Sequence, residues 1–407
     1  MLTREENEFL TRVGPATPAG ELFRRYWLPV GYPCELTDDQ PTRFVRILGE
    51  DLVLFKDKSG NVGLIADHCV HRGASLLYGR PEERGIACAY HGWLYDTSGN
   101  CLETPAEPAD SKFHLTVRIK AYPVQEFIGM YWAYLGPLPA PVIPKYDLWT
   151  RKDGRRKLYL QPRLDANWLQ PMENSMDPAH LQILHQTIAF RGRAAPASTT
   201  RGYTDDVEGF EFIEVPYGIV KKRTYRNGHV DEHPILFPNI LRQGDATQIR
   251  VPIDDEHTKI FFVRFQPSED GSIVDDGEDR EPTFIKPYKS PDELHPTGFF
   301  DMSLDVQAQD HMAWETQGPI ADRSIERLAT TDRGIVMFRN MVKREIERVQ
   351  MGLDPKAVVR DPDHEMIDTK LQESLSERFL AARARGEMAA VGTGADPGDS
   401  PAAIRGV

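Results

Sequence analysis

Hydrophobic and polar positions repeat with different periods along this chain, and the change of period divides it. After a turn-rich stretch ending in VGPATPAG, the segment ELFRRYWLPV predicts one short helix stopped by Pro29. From about residue 41 to 137 the period is two. RFVRILG, DLVLFKD, NVGLIAD and YWAYLG are short β-branched or aromatic runs parted by GED, DKSGN and TSGN. That pattern predicts a meander of hairpins. GPLPAPVIP, at 136–144, carries four prolines in nine positions and predicts a stiff, extended boundary between two domains.

Beyond it the texture changes. A strand is predicted near 156–164, then a largely helical NWLQPMENSMDPAHLQILH, then strands at FEFIEV, GIVKKRTY, TQIRVPI and KIFFVRF. Residues 268–297 are acidic and proline-bearing and predict a surface loop. Helices are expected at roughly 300–317 and 322–350. The C-terminal residues hold too little apolar material to fold. The expected organisation is a helical segment at 1–26, an all-β domain at 27–140, a domain of antiparallel sheet plus helices at 145–385, and a disordered tail at 386–407. The class is α+β.

Composition changes this picture little. The chain has 407 residues, 40% hydrophobic and 27% charged, with a net charge of -13. The charge argues against nucleic acid or an anionic membrane as partner. No apolar run reaches the length of a membrane helix, and MLTREENEFLTRVG mixes acids with bases and has no secretory h-region. A cytoplasmic protein is expected. Four cysteines, at 34, 69, 88 and 101, are too few for a disulfide scaffold. Metal binding, catalysis or packing remain as their uses.

Two of them sit in patterned surroundings. DHCVHRGASL offers Cys69 and His71, and ACAYHGWLYD offers Cys88 and His91. A structural zinc site is one reading, but zinc sites favour paired cysteines in each knuckle. One thiol and one imidazole per loop suit a dinuclear cluster with both cysteines on one iron and both histidines on the other. Gly73 and Gly92 follow where the backbone needs special dihedrals. Trp93 and Tyr95 are candidates for a water-excluding wall, or for plain β core. Cys34 and Cys101 read as structural, and His68 as a local hydrogen-bonding residue.

This pair of loops resembles the Rieske [2Fe–2S] motif in the form found in ring-hydroxylating oxygenases. Rieske proteins of respiratory complexes have extra cysteines, and the first would fall at Ala74 here. The resemblance, closest to the phthalate-dioxygenase-like subgroup, extends from VGPATPAGELFRRYW to the 322–350 helix. It implies an all-β Rieske domain followed by a helix-grip catalytic domain, with a mononuclear non-heme iron as second cofactor.

It also implies roles. In DPAHLQILH, His180 and His185 would be iron ligands, although five residues of regular helix would turn them about 140° apart, so a bulge or kink is expected. The carboxylate ligand would come from LDVQAQDHMAWETQGPIADRSIERL, where Asp310 matches better than Asp305 or Glu315. Two histidines and a carboxylate leave positions open for O2 and substrate. Asp177 would couple His180 to cluster ligand His91 of a neighbouring subunit in a trimer or stacked trimers. Asp322, Arg323 and Glu326 read as an N-terminal capping group.

The implied activity is that of a terminal oxygenase, fed by an NAD(P)H-dependent flavin/iron–sulfur reductase, which hydroxylates a small aromatic substrate with O2. O-demethylation or ether cleavage is the alternative, and an electron-transfer protein without oxygenase activity a distant one. A carboxylated substrate would want a buried cation. Lys221 and Arg223, two apart in GIVKKRTY, and Arg242 on another strand are the candidates, against the plainer reading of a solvated basic strand face.

Overall fold

The structure, a computed structural model, describes residues 1–182, 184–185, 207–226, 228, 230–268, 270–273, 281–285 and 306–369. The tail predicted at 386–407, Asp305 and most of the 268–297 loop lie outside these residues.

The chain starts with two short helices, α1 (Arg4–Thr11) and α2 (Pro18–Phe23), each begun by a threonine. Thr3 and Glu6 form a reciprocal capping box, and Thr17 caps α2 ahead of Pro18. The predicted helix over 21–30 is corrected here. It ends at Phe23, and Trp27–Gly31 is a strand. Pro29 does not stop a helix; it lies in an edge strand, next to a register shift against Met130–Tyr134. An edge position and a bulge both tolerate the missing N–H.

The predicted meander forms three small sheets. Trp27–Gly31, Met130–Tyr134 and Val124–Phe127 make one. Thr42–Ile47, Glu50–Lys56, Val62–Ala66 and Ala121–Tyr122 make the second. Arg80–Glu82, Gly85–Ala87, Leu94–Tyr95 and Cys101–Glu103 make the third. Val53, Phe55, Ile65, Leu76, Ile86 and Tyr95 close a local core around the last two.

After α3 (Asp147–Thr150) comes one eight-stranded sheet. Its order is Val207–Val215, Gly218–Tyr225, Val230–Leu236, Ile240–Gln243, Ala246–Pro252, Thr258–Pro267, Gly154–Leu164 and Thr283–Phe284. Every pairing is antiparallel except the last. Helices α4 (Leu169–Met176), α5 (Ala179–Gln182), α6 (Val306–Thr316) and α7 (Arg333–Gln350) complete this half. Phe338 of α7 packs on Phe237 and Trp168.

The helix expected over 322–350 starts only at Arg333, and residues 322–326 cap nothing. Arg323 is drawn inward instead. It is 1% exposed and grips Glu173 of α4 through two bonds of 2.8 Å, while Arg339 of α7 bonds Glu173 at 2.6 Å and also Glu326. The main apolar core runs through both halves, from Leu28 and Trp132 to Trp149, Leu158 and Phe338. No described helix is long and apolar enough to cross a membrane.

Candidate metal centres

The two cysteine–histidine loops are built alike. The Gly73 N–H donates to the Cys69 carbonyl at 2.8 Å, and the Gly92 N–H to the Cys88 carbonyl at 2.9 Å. Both glycines hold φ near +70°, as a loop reversing this tightly requires. Each loop is sealed by a second bond from the cysteine N–H, to Ala74 and Trp93 respectively. Cys69 and Cys88 thereby face inward, while His71 and His91 stand at the surface with ring centroids 4.5 Å apart.

Trp93 stacks flat on His71 at 4.4 Å, and exposed Tyr90 leans on His91 at 3.8 Å. The Tyr95 hydroxyl lies 3.2 Å from the Cys69 sulfur. A hydroxyl donated to a thiolate sulfur stabilises the reduced charge state of a cluster held there. Two buried thiols and two adjacent surface imidazoles on separate loops fit a [2Fe–2S] group. Of the remaining residues, Cys101 is buried in the same core and Cys34 is exposed. His68 bonds the Gly73 carbonyl at 3.0 Å, the local role expected of it.

The second set of residues converges from distant parts of the sequence. Helix α4 ends at Asp177, whose backbone is extended and whose carboxylate accepts from the N–H of Ala179 at 2.7 Å and of His180 at 3.3 Å. Asp177 thus caps a new turn carrying His180. At 184–185 the winding widens to a π-helical turn. The two imidazoles nevertheless meet, with ring centroids 5.3 Å apart.

Across from them on α6, Asp310 Oδ1 lies 3.3 Å from His185 Nε2 and 3.9 Å from His180 Nε2. One atom of each of the three falls within 4.8 Å of the others, and this is the one such group among the described residues. Buried His185 Nε2 has no hydrogen-bond partner, as expected of a nitrogen kept for a metal. Its Nδ1 lies 2.7 Å from Gln309 Oε1. That bond fixes the tautomer with Nδ1 protonated and Nε2 available. Burial pushes the Asp310 carboxyl up, but His185, His180 and Arg250 outweigh it and hold it anionic. Asn174 reaches the same Oδ1 at 3.4 Å. This donor set suits an iron(II) ion. Asp177 Oδ2 is 3.4 Å from His180 Nδ1. Glu315 instead accepts from the Asp165 N–H.

A cavity of about 200 Å³ opens beside His180, His185 and Asp310, with Lys221, His233, Gln248 and Arg250 among its walls. Of the sequence candidates for anion binding, Lys221 alone lines it. Arg223 is buried next door but is bound to Asp231. Arg242 is elsewhere, held by Asp147 at 2.9 Å and by Thr369; a charge already neutralised by a buried carboxylate is not free for a ligand.

Sequence reading missed Arg250. Between Ile249 and Val251, both of them buried, alternation reads it as outward-facing, yet it is 1% exposed because α4 covers that face. Its guanidinium bonds the Pro171 carbonyl, Ser175 and Gln248, and its Nε has no partner. His233 and Gln309 were missed for the same reason, since each gains its meaning from a neighbour remote in sequence.

Comparison with known proteins agrees with this geometry. The Rieske [2Fe-2S] domain model matches residues 26–123, and the LigXa C-terminal domain like model matches 291–369. The 5,5'-dehydrodivanillate O-demethylase oxygenase subunit of Sphingobium sp. (strain NBRC 103272 / SYK-6) is 40% identical, over 89% of this chain and 84% of its own. The phthalate 4,5-dioxygenase oxygenase subunit of Pseudomonas putida is 33% identical, over 86% and 88%. The structure of NdmB from Pseudomonas putida CBB5 superposes with a TM-score of 0.58 over 81% of this chain and 93% of that one, at 21% identity, a likeness of fold. With a relative 40% identical along nearly the whole length, the chain belongs to the Rieske-type non-heme iron oxygenases, oxidoreductases whose oxygenase component carries a Rieske [2Fe–2S] cluster and a mononuclear iron.

Proposed function

We propose that this chain is the terminal oxygenase of a multicomponent system that oxidises a small aromatic carboxylate with O2, drawing electrons from an NAD(P)H-dependent flavin/iron–sulfur reductase. Cys69, His71, Cys88 and His91 hold the cluster, and His180, His185 and Asp310 hold the iron. The observation that carries the substrate class is the cavity wall. Lys221 and Arg250 are buried beside His180, His185 and Asp310, and among the described residues neither is in ion-pair contact with a side-chain carboxylate, although Asp310 acts on both from a distance. Buried cations without a contact ion partner are costly, and an anionic ligand supplies one. O-demethylation is the second reading, favoured by the 40% identity to an O-demethylase oxygenase subunit.

When bound, the two groups supply one-electron storage and O2 activation. The protein's part is placement. Gln309 keeps His185 in its binding tautomer, Asn174 steadies Asp310, and Asp177 caps the turn that carries His180. Lys221 and Arg250 would orient the substrate by its carboxylate and leave the ring toward the iron. Asp177 would bridge His180 to His91 of a neighbouring subunit by hydrogen bonds, in a trimer, and so provide the path between the two centres. The test is incubation with reductase, labelled O2 and a panel of benzoates, phthalates and methoxybenzoates. Turnover of these and not of neutral arenes is expected, and the reverse preference would sink the carboxylate reading. A fully active monomer in sedimentation would remove the cross-subunit path.

A further inference from the structure

The inner face of the Gly218–Tyr225 and Val230–Leu236 strands holds a polar group that the metal chemistry does not use. Register places Lys221 directly opposite His233, and Arg223 opposite Asp231. All four are buried, whereas Lys222, between them, pairs with Glu232 on the other face. Directly opposed side chains on one face are near neighbours.

The bonding pattern fixes what this face offers. Asp231 is taken by Arg223 and lies 3.1 Å from His233 Nε2. Arg223 Nη2 is 3.3 Å from the same nitrogen, but that guanidinium already donates to Asp231. A lone pair on Nε2 facing the carboxylate would set two acceptors against each other. Nε2 therefore carries the proton and donates to Asp231, which leaves Nδ1 as an acceptor. Burial, with Lys221 and Arg223 nearby, lowers the pKa of the ring against the pull of Asp231, which keeps Nδ1 unprotonated. Nδ1 makes no hydrogen bond to the described protein, and the residue lines the cavity. Lys221 beside it spends one donor on the Asp177 carbonyl at 3.2 Å. The wall thus sets a neutral acceptor next to a cationic donor.

We propose that His233 is a specificity residue that accepts a hydrogen bond from a phenolic hydroxyl of the substrate, so that the preferred substrate is a hydroxylated aromatic carboxylate. The proposal rests on the aromatic-carboxylate reading above and narrows it. A cavity limited to cations would bind any aryl carboxylate. An acceptor that loses its water on ligand binding and finds no donor penalises ligands without a hydroxyl.

The test is anaerobic equilibrium binding to the metal-loaded full chain, comparing 4-hydroxy-3-methoxybenzoate with 3-methoxybenzoate. The wild type should bind the hydroxylated compound about tenfold more tightly. In His233→Phe the ratio should fall to about one, through weaker binding of the hydroxylated compound alone. His233→Asn, which keeps an acceptor oxygen near the Nδ1 position, should retain part of the preference. Equal binding of both compounds by the wild type overturns the proposal and leaves the carboxylate reading standing. Loss of both ligands in equal measure in His233→Phe, with the fold and iron content intact, also overturns it. Failure of the wild type to bind either compound, while neutral arenes bind, overturns both readings together. Should His233→Phe not fold, the wild-type ratio and His233→Asn decide the matter.

Discussion

At the cluster end, four candidate ligands lie between positions 69 and 91 on two loops shaped by backbone bonds and two glycines. At the iron end, three candidate ligands lie between positions 180 and 310 and are aimed by side chains: Asp177 caps, Gln309 orients, Asn174 steadies. The first centre is a local motif placed on a small core. The second exists only when a helix from one region docks on a helix from another. The difference is one of dependence. Disturbing the wider fold should damage the second centre before the first.

The largest break in this comparison is Asp310→Ala. Turnover should drop about a thousandfold or more, in line with the several kcal/mol a metal contributes. The visible spectrum of the cluster should persist, and Cys88→Ser should abolish that spectrum. Iron counts and absorbance on both variants settle whether the centres are separable.

Glu173→Gln comes next. Arg323 and Arg339 would lose their shared carboxylate in a buried setting, at a cost of about 3–5 kcal/mol in denaturant unfolding. Because Glu173 lies on α4, just ahead of Asp177, iron retention should suffer more than cluster retention. Equal loss from both centres would refute the asymmetry.

Gln309→Leu probes the smaller supports. Iron(II) or cobalt(II) affinity should weaken by about 10–100-fold, with the cluster unaffected, as read by titration of the metal-depleted protein.

The finest test is the pH response of Lys221. Burial, with Arg223 near, lowers its pKa to about 7. The ammonium is therefore present below pH 7 and lost above it. Benzoate-type ligands should bind less tightly as pH rises through this range, approaching about tenfold per unit, and Lys221→Met should flatten the profile. Stability should move the opposite way. The unfolded lysine keeps its proton up to about pH 10.4, so between 7 and that value rising pH removes a penalty on folding.

Legibility from sequence follows the same division. The cysteine–histidine pairs, their glycines and the surrounding hairpins were readable because spacing and turn residues are local signals. The sheet of the second half was readable as strands, and the need for a distortion between His180 and His185 followed from helix geometry. What escaped reading was set by packing. Arg250 and His233 look outward or neutral in their own segments, and become cavity walls only where α4 or a paired strand covers them. Arg323 shows the converse. Its segment resembles a helix start, but the buried carboxylate of Glu173 holds the residue in an irregular path until Arg333. Arg242 had the right character for an anion site and is committed to Asp147.

The opening helices carry a consequence for how this chain is made. Leu2 bonds Arg323, Asn7 bonds Ala321 and Arg323, and α1 and α2 pack on α7. These helices are synthesised more than three hundred residues before α7, which completes their docking surface. Synthesis runs from the N-terminus and domains fold largely as units. The cluster domain can close while its leading helices wait, and their docking onto α7 is a late seal on the iron-binding half. Loosening that seal would burden the half of the protein that holds the candidate iron site while sparing the half that holds the cluster loops.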